Sequence, residues 1–273
     1  MRGLALSLVL LAAPAGAQLD PPAWTRATAP YRVLGPIDYV GTEGLSAYLI
    51  RTPAGAILLD APMEENVERL KASIAARGVR LSDVKLILLS HAHFDHAGGL
   101  AAMKRATGAR LVVGAGDRAA VEAGVPPGET SYGVIRFPAA KVDLAARDGA
   151  KVALGGVTLS AVATPGHTPG CTSWRMRVVD KGRPLTVLFA CSTTVAGNKL
   201  VGNARYPAIV RDFRRSFDRL GATRVDVVLP FHPETTDLAA RVREGRLVDP
   251  ALLPRLVRES RAAFAAELTK QGG

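Results

Sequence analysis

The sequence predicts one α/β domain in which helices cover β-sheets on the outside. Strand-like and helix-like segments alternate in both halves of the 273-residue chain, and this alternation favours sheets flanked by helices. Hydrophobic residues make up 48% of the sequence, which is ample for a large core. No repeat of fixed period and no low-complexity linker divides the chain, so a single domain is the simplest interpretation.

The N-terminus has the three parts of a secretion signal in order. Arg2 precedes an apolar run over residues 4–13, and an A-x-A cleavage pattern ends at Ala17. The run is too short to cross a bilayer, which takes about 20 residues, and no later stretch is apolar enough. A buried N-terminal strand or helix is the alternative. We expect a signal peptide over residues 1–17, a mature domain over residues 18–273 and a periplasmic location.

In the first half of the mature chain, short apolar segments are separated by glycine and proline turns, which is typical of strands. A segment with helical period follows and ends at Gly78. The next apolar run is uninterrupted, as in a strand buried on both faces. The predicted elements are strands over residues 39–40, 47–50 and 56–59, a helix over 64–77, a strand over 84–89, a helix over 98–107 and a strand over 110–113.

The second half begins with a stretch rich in proline and glycine, over residues 125–150, that we predict to be irregular. Regular alternation resumes after it. The predicted elements are strands over residues 151–154, 157–163, 172–179 and 185–190, a helix over 207–220, a strand over 225–229 and a final helix over 250–269.

The net charge of +11 does not by itself indicate a nucleic-acid partner. Arginines are scattered, and the densest basic run covers only residues 211–219. A solvated basic surface on an exported protein is the better interpretation, so we expect neither nucleic acid nor a membrane span. The two cysteines, Cys171 and Cys191, are too few for a disulfide-built scaffold but can form one bridge in an oxidising compartment.

The strongest chemical signal is the segment Ser90-His91-Ala92-His93-Phe94-Asp95-His96, directly after the buried strand. In an extended segment His91 and His93 point the same way, because side chains alternate with a period of two. Two imidazoles then converge on one metal, and Asp95 and His96 can hold a second. Zinc prefers imidazole with some carboxylate, and clustered imidazoles are costly to bury without a ligand. The segment therefore predicts a zinc site rather than core packing.

The chain has 5 histidines in all, and the other two also follow predicted strands. His167 lies within a Thr-Pro-Gly-His-Thr-Pro-Gly segment, and His232 follows the strand over residues 225–229. A lone histidine in either place would more often be an ordinary surface or core residue. Since functional groups on α/β scaffolds collect at strand ends, we interpret both as the missing ligands. The predicted sets are His91, His93 and His167 for one zinc, and Asp95, His96 and His232 for the other.

These segments resemble the metallo-β-lactamase superfamily, and in combination its subclass B3. The matching stretches lie at residues 41–46, 91–100, 164–174, 191–197 and 232–234, and they cover nearly all of the mature chain in order. The resemblance implies an αβ/βα sandwich of two mixed sheets packed face to face with helices outside. It also implies two Zn²⁺ per chain and hydrolysis of the β-lactam ring of penicillins, cephalosporins and carbapenems.

The resemblance further implies roles for individual residues. Asp95 would orient the zinc-bound hydroxide, and Ser192 and Thr194 would contact the substrate carboxylate, although strand-end capping is an alternative for both hydroxyls. A Cys171–Cys191 disulfide is implied as well, while Cys191 remains an alternative zinc ligand. Asp60 is expected beside the ligands rather than among them, and Trp174 and Phe94 in the core. Thr194 and the pair Thr235-Thr236 depart from the subclass pattern, which leaves the pocket wall open.

Three functions remain open on this basis. The first is periplasmic β-lactam hydrolysis by a monomer acting on a small molecule. The second is an exported lactone or thioester hydrolase on the same fold, disfavoured because no bridging acid stands near Ala190. The third is a non-catalytic zinc protein, disfavoured because structural zinc sites are closed and this ligand set leaves room between two metals.

Overall fold

The computed structural model describes residues 20–273, so the predicted leader at residues 1–17 lies outside the described residues. The described strands form two sheets. The 7-stranded sheet runs in chain order: it is antiparallel from β1 to β4 and parallel from β4 to β7. Its strands are β1 (Tyr31–Leu34), β2 (Ile37–Tyr39), β3 (Tyr48–Thr52), β4 (Gly55–Leu59), β5 (Val84–Leu88), β6 (Arg110–Gly114) and β7 (Leu144–Ala146).

The 5-stranded sheet has the order β12-β11-β10-β9-β8. Its neighbours are antiparallel except for the parallel pair β11 and β12. The strands are β8 (Lys151–Leu154), β9 (Val157–Ala163), β10 (Thr172–Asp180), β11 (Arg183–Ala190) and β12 (Val227–Pro230). Both sheets are therefore mixed, as the resemblance implied.

Helices flank the two sheets. They are α1 (Val67–Ala76), α2 (Phe94–Ala97), α3 (Leu100–Thr107), α4 (Arg118–Ala123), α5 (Ile209–Ala222), α6 (Leu238–Arg243) and α7 (Leu252–Lys270). None of the helices within residues 20–273 combines the length and the hydropathy needed to cross a lipid bilayer.

The core has the layers of a sandwich, and β5 shows why. Leu86 and Leu88 belong to the cluster between the sheets, whereas Ile87 and Leu89 pack with the helices on the outer face. This alternation follows from the two-residue period of a strand and explains the uninterrupted apolar run in the sequence. A third cluster joins the other sheet to α5 and α7. The predicted α/β sandwich with helices outside is confirmed.

Some short elements were not predicted. The stretch over residues 125–150, expected to be irregular, contains β7, a 3-residue edge strand with an exposed Leu144. The 4-residue β1 and the 6-residue helices α4 and α6 were also missed. Elements this short show at most two periods of hydrophobic alternation, so the sequence pattern cannot separate them from loops.

The strand directions bring the predicted site residues to one edge of the sandwich. β4, β5 and β6 are parallel, and the segments that leave their carboxyl ends include Asp60 and His91. In the other sheet β9, β11 and β12 share one direction, and His167, Ser192 and His232 follow their carboxyl ends. Loops at the carboxyl ends of parallel strands are where α/β scaffolds carry their sites.

Cys171, directly before β10, and Cys191, directly after β11, form a disulfide with a Cα–Cα distance of 5.9 Å. Replacing both by serine is expected to lower the free energy of unfolding of the metal-free protein by about 3 kcal/mol, because a bridge over this loop length restricts the unfolded chain. Urea denaturation of the variant and of the native protein would measure this difference. Two free thiols in the mass spectrum of protein from an oxidising compartment would contradict the bridge.

Candidate metal centre

Three of the predicted ligands meet at the first cluster. His91 and His93 follow β5, and His167 lies in the loop between β9 and β10. The ring centroids of His91 and His93 are 5.0 Å apart, and that of His167 lies 4.5 Å and 4.7 Å from them. One nitrogen of each ring lies within 4.8 Å of the other two, and all three side chains are buried. The structure thus brings together residues that are 76 positions apart.

Hydrogen bonds to the Nδ1 atoms of His91 and His167 determine which nitrogen of each ring carries the proton. The Nδ1 of His167 is 2.8 Å from the carbonyl oxygen of Thr194, which can only accept, so this Nδ1 carries the proton. The Ser90 hydroxyl donates to Asp60 over 2.6 Å, and its oxygen accepts from the Nδ1 of His91 at 3.0 Å. The Nε2 atoms of His91 and His167 therefore both present lone pairs, and they face each other at 3.0 Å.

The first cluster fits a bound cation. Two imidazole lone pairs at 3.0 Å have no proton to share, and the buried Nε2 of His93 has no hydrogen-bond partner among residues 20–273. Burial lowers the pKa of His93 to about 4, and burial with neighbouring imidazoles holds the pKa of His91 and His167 well below the usual range. Three neutral imidazole nitrogens aimed at one point are a donor set that zinc prefers.

The second cluster lies beside the first. Asp95 and His96 belong to the short helix α2, and His232 follows β12. The Nε2 of His96 is 3.1 Å from the Asp95 Oδ2 and 3.1 Å from the Nε2 of His232, which lies 3.3 Å from the same Asp95 oxygen. The rings of His91 and His96 are 4.2 Å apart. All the predicted ligands therefore occupy one continuous group, in which donor atoms of His91, Asp95 and His96 also lie within 4.8 Å of one another.

The second cluster lies in a more negatively charged environment than the first. Burial lowers the pKa of His96, but the carboxylates of Asp95 and Asp60 outweigh it and raise that pKa to about 10. Burial would raise the pKa of Asp95, yet His96 and His232 hold it well below its usual range. The Asp60 Oδ2 lies 3.0 Å from the Nδ1 of His96, so Asp60 orients this ring from behind. Asp60 also holds a left-handed backbone conformation with φ of 60°, which is uncommon for residues other than glycine, asparagine and aspartate.

Both clusters open into a cavity of about 770 Å³. Ser192 and Thr194, at the end of β11, line it with their hydroxyl oxygens 3.0 Å apart. The Ser192 hydroxyl also accepts from the Thr194 backbone N–H over 3.3 Å, which is the local capping bond that the alternative interpretation required. The capping bond does not remove these hydroxyls from the cavity, because both residues still line it. Thr235, a departure from the subclass pattern, lines the same cavity and donates to the carbonyl of His232.

Sequence reasoning missed several residues of the cavity wall. Trp24 packs on the His232 ring with centroids 5.6 Å apart, and Tyr132 and Ile135 reach the cavity from the irregular loop. Tyr132 is 42% exposed and Ile135 is 37% exposed. Large apolar side chains in a proline- and glycine-rich segment were the sequence feature that could have indicated this part of the cavity wall. Phe94, expected in the core, is half-buried and lies on the same wall, whereas Trp174 is fully buried as expected.

The family model described as the metallo-beta-lactamase superfamily matches residues 40–232. Among solved structures, the chain is similar to BJP-1, a subclass B3 metallo-β-lactamase of Bradyrhizobium japonicum, with 40% identity, a TM-score of 0.87 and coverage of 92% of this chain and 97% of that one. Identity to the native FEZ-1 metallo-β-lactamase of Legionella gormanii is 36%, with a TM-score of 0.84 and coverage of 91% and 98%.

Curated relatives are matched over shorter stretches. A hydroxyacylglutathione hydrolase of Anaeromyxobacter dehalogenans (strain 2CP-C) is 35% identical over 134 residues, which span 48% of this chain and 43% of the relative. The chain thus spans less than half the length of this relative.

Proposed function

The chain belongs to the metallo-β-lactamase superfamily and within it to subclass B3, and on this premise we propose that it is a dinuclear zinc hydrolase that opens the β-lactam ring of penicillins, cephalosporins and carbapenems. The observation that carries the proposal is the pair of adjacent donor clusters, one of neutral imidazoles and one with a carboxylate, at the floor of a substrate-sized cavity. His91, His93 and His167 would hold one zinc, and Asp95, His96 and His232 the other.

The zinc ions would supply the chemistry that the side chains lack. Bound zinc lowers the pKa of a coordinated water towards about 7 and polarises a carbonyl oxygen. Asp95 lines the cavity and its low pKa keeps it ionised, so its carboxylate can orient the attacking water. Asp60 and the carbonyl of Thr194 hold the Nδ1 protons of His96 and His167, so each ring would coordinate through its Nε2.

The substrate would be held by the cavity wall. Ser192 and Thr194 offer hydroxyl donors for the carboxylate of a β-lactam, and Trp24 and Tyr132 offer aromatic faces for its apolar substituents. The net charge of +11 favours the approach of an anionic substrate, in a salt-dependent manner. No serine nucleophile is required by this arrangement.

Thioester hydrolysis is the second candidate, because a curated relative is named hydroxyacylglutathione hydrolase. Two observations favour the first candidate. The similarity to BJP-1 spans 92% of this chain, against 40% to 72% for the relatives named hydroxyacylglutathione hydrolase. At the end of β11, Ala190 and Cys191 stand where the bridging acid of the thioesterase pattern would lie, and the Cys191 sulfur is bonded to Cys171.

A periplasmic location is part of the proposal. The apolar leader of the sequence and the Cys171–Cys191 disulfide support an oxidising compartment, because such bonds rarely persist in a reducing cytosol. We further propose that the protein acts as a monomer.

The hydrolysis of one penicillin, one cephalosporin and one carbapenem tests the function. We expect zinc-loaded protein to open all three rings, EDTA to abolish the activity, and added zinc to restore it, because both donor clusters act only through a metal. Clavulanate should not inhibit, since the reaction does not require an acylated serine. The loss of ring absorbance in a spectrophotometer measures each rate.

An S-acylglutathione thioester and a homoserine lactone serve as the matched comparison substrates. Zinc-loaded protein that leaves all three β-lactams intact but cleaves the thioester or the lactone would transfer the assignment to the second candidate. Protein that binds zinc and cleaves none of these compounds would support the non-catalytic alternative.

The pH dependence of zinc binding is expected to differ between the two clusters. The lowered pKa values of His91, His93 and His167 leave these rings neutral at pH 7, so the first zinc displaces almost no proton. The pKa of His96 is raised to about 10, so this ring is protonated at pH 7 and the second zinc must displace that proton. Below that pKa, the affinity for the second zinc should fall at least about tenfold for each unit of decreasing pH, because Asp95 and Glu234 outweigh burial and raise the pKa of His232 as well.

Titrations against a competing chelator between about pH 6 and about pH 8 measure this difference. The first affinity, corrected for protonation of the chelator, should stay nearly constant over the same range. Equal slopes for both zinc ions would contradict the assignment of the raised pKa to the second cluster.

A further inference from the structure

The turn after β6 lies in close contact with the loop that carries His167. A Cβ added to Gly116 would lie 2.4 Å from the Pro169 carbonyl oxygen, and one added to Gly170 would lie 2.2 Å from the Asp117 backbone nitrogen. Real Cβ atoms essentially never come closer than 3.0 Å to such atoms. Glycines on both sides therefore permit a backbone approach that any other residue would prevent.

The approach places the carboxylate of Asp117 between two loops. Its Oδ2 accepts hydrogen bonds from the Ala92 backbone N–H at 2.8 Å and from the Thr168 hydroxyl at 2.7 Å, and its Oδ1 accepts the Gly170 backbone N–H at 2.7 Å. Ala92 separates the two histidines that follow β5, and Thr168 directly follows the third histidine of the first cluster. One side chain thus bonds to both segments from which the three imidazoles project.

Burying this carboxylate between the two loops costs free energy. Asp117 is 0% exposed, and no cationic side chain within residues 20–273 forms an ion pair with it. Burial raises its pKa to about 6, since the three hydrogen bonds only partly offset the loss of water. A buried charge without a counter-ion is costly, so its presence calls for a role that a neutral packing residue could not fill.

We propose that Asp117 is a positioning residue that fixes the two loops at the separation the three-His site requires. It touches neither the ring nitrogens nor the cavity, and it acts through Ala92 and Thr168 on the imidazoles beside them. The proposal rests on the proposed function, because it takes these imidazoles to be zinc ligands. The second cluster has its own support in Asp60, so Asp117 should affect mainly the first.

Asp117→Asn is the first test. An amide has one acceptor oxygen and two N–H donors, so it cannot accept all three bonds and must direct an N–H at a donor. The affinity for zinc at the three-His site should fall about 10- to 100-fold, the usual effect of removing such support. Chelator competition on the metal-free protein measures the affinity, and the visible spectrum of the cobalt-substituted protein should change in its ligand-field bands.

Asp143→Asn is the matched control. Like Asp117, Asp143 is a carboxylate that accepts a backbone N–H, here from Leu111 of β6 at 2.7 Å, and it pairs with Lys104. It contacts neither of the two loops that carry the histidines of the first cluster. This variant should keep the native zinc affinities and the native cobalt spectrum. Two substitutions of Thr168 provide a milder test, which can still be made if Asp117→Asn does not fold. Thr168→Val should weaken zinc binding at the three-His site, and Thr168→Ser should not.

The outcomes separate the possibilities. A merely structural role would lower the thermal stability of the metal-free Asp117→Asn protein while its zinc affinities and cobalt spectrum stay native, and this result would overturn the proposal. Native affinity in Thr168→Val together with equal weakening of both sites in Asp117→Asn would overturn it as well. Native protein that binds no zinc would overturn the proposed function itself, and this is visible before any variant is measured.

Discussion

His96→Ala is expected to reduce the bound zinc from two ions per chain towards one and to lower kcat by about 100- to 1,000-fold. His96 is the centre of the second cluster, because its Nε2 lies 3.1 Å from both the Asp95 carboxylate and the His232 ring. Without this imidazole, one carboxylate and one half-buried histidine remain, which bind a single zinc weakly. The three-His cluster keeps its own donors and should keep its zinc.

Zinc content by atomic emission after dialysis measures the change, and circular dichroism checks that the fold survives. The double variant Cys171→Ser/Cys191→Ser is the matched control, since it removes the other residue that the sequence offered as a ligand. It should retain two zinc ions. If His96→Ala still binds two zinc ions tightly, the second cluster is assigned wrongly.

The proposed metal ligands could be chosen from the sequence because the signal is local and the candidates are few. Three of the 5 histidines stand within one short segment, and the spacing of His91 and His93 alone aims both at one point. His167 and His232 were identified by elimination and by their position after strands. The structure brings all of them together with Asp95 in one group, in which His232 is half-buried and the others are buried.

The supporting residues could not be identified in the same way. Asp117 follows β6 in a short turn, and nothing in its neighbourhood of the sequence resembles a metal motif. Its role depends on the alignment of two parallel strands and on a backbone contact with a loop that is 53 residues away. Such a relation is a property of tertiary packing, which hydrophobic periodicity does not encode.

The residues of the cavity wall could not be predicted from the sequence, for a different reason. Trp24, Tyr132 and Ile135 belong to segments between regular elements, where proline and glycine predict turns but not the direction in which a side chain points. The resemblance indicated correctly that the residues around Thr235 form part of this wall. Substrate preference among β-lactams therefore depends on the part of the chain that sequence patterns describe least well.

Asp95→Asn is expected to have the other large effect: a decrease in kcat of about 1,000-fold and a loss of affinity for the second zinc of about 100-fold. The substitution keeps the size of the side chain and removes its charge. The Asp95 Oδ2 lies 3.1 Å from His96 and 3.3 Å from His232, so both rings lose their shared anionic partner. A neutral amide oxygen is a poorer zinc ligand than a carboxylate.

The same variant should change how zinc binding depends on pH. Burial alone would lower the pKa of His96, and Asp95 is the strongest of the groups that raise it to about 10. Because Asp95→Asn removes this negative charge, the pKa of His96 should fall in the variant. Fewer protons are then displaced at pH 7, and the affinity for the second zinc varies less steeply with pH. Isothermal titration in buffers of different ionisation enthalpy counts these protons.

Glu234→Gln is the matched control for charge at the same site. The Glu234 carboxylate lies 3.6 Å from the Nδ1 of His232, on the side away from the clustered Nε2 atoms, and its side chain is 62% exposed. Solvent screens such a pair, so its neutralisation should change zinc affinity and kcat by less than about threefold. Equal effects of the two substitutions would mean that general electrostatics, rather than ligation by Asp95, holds the second zinc, and native zinc content in Asp95→Asn would exclude Asp95 as a ligand.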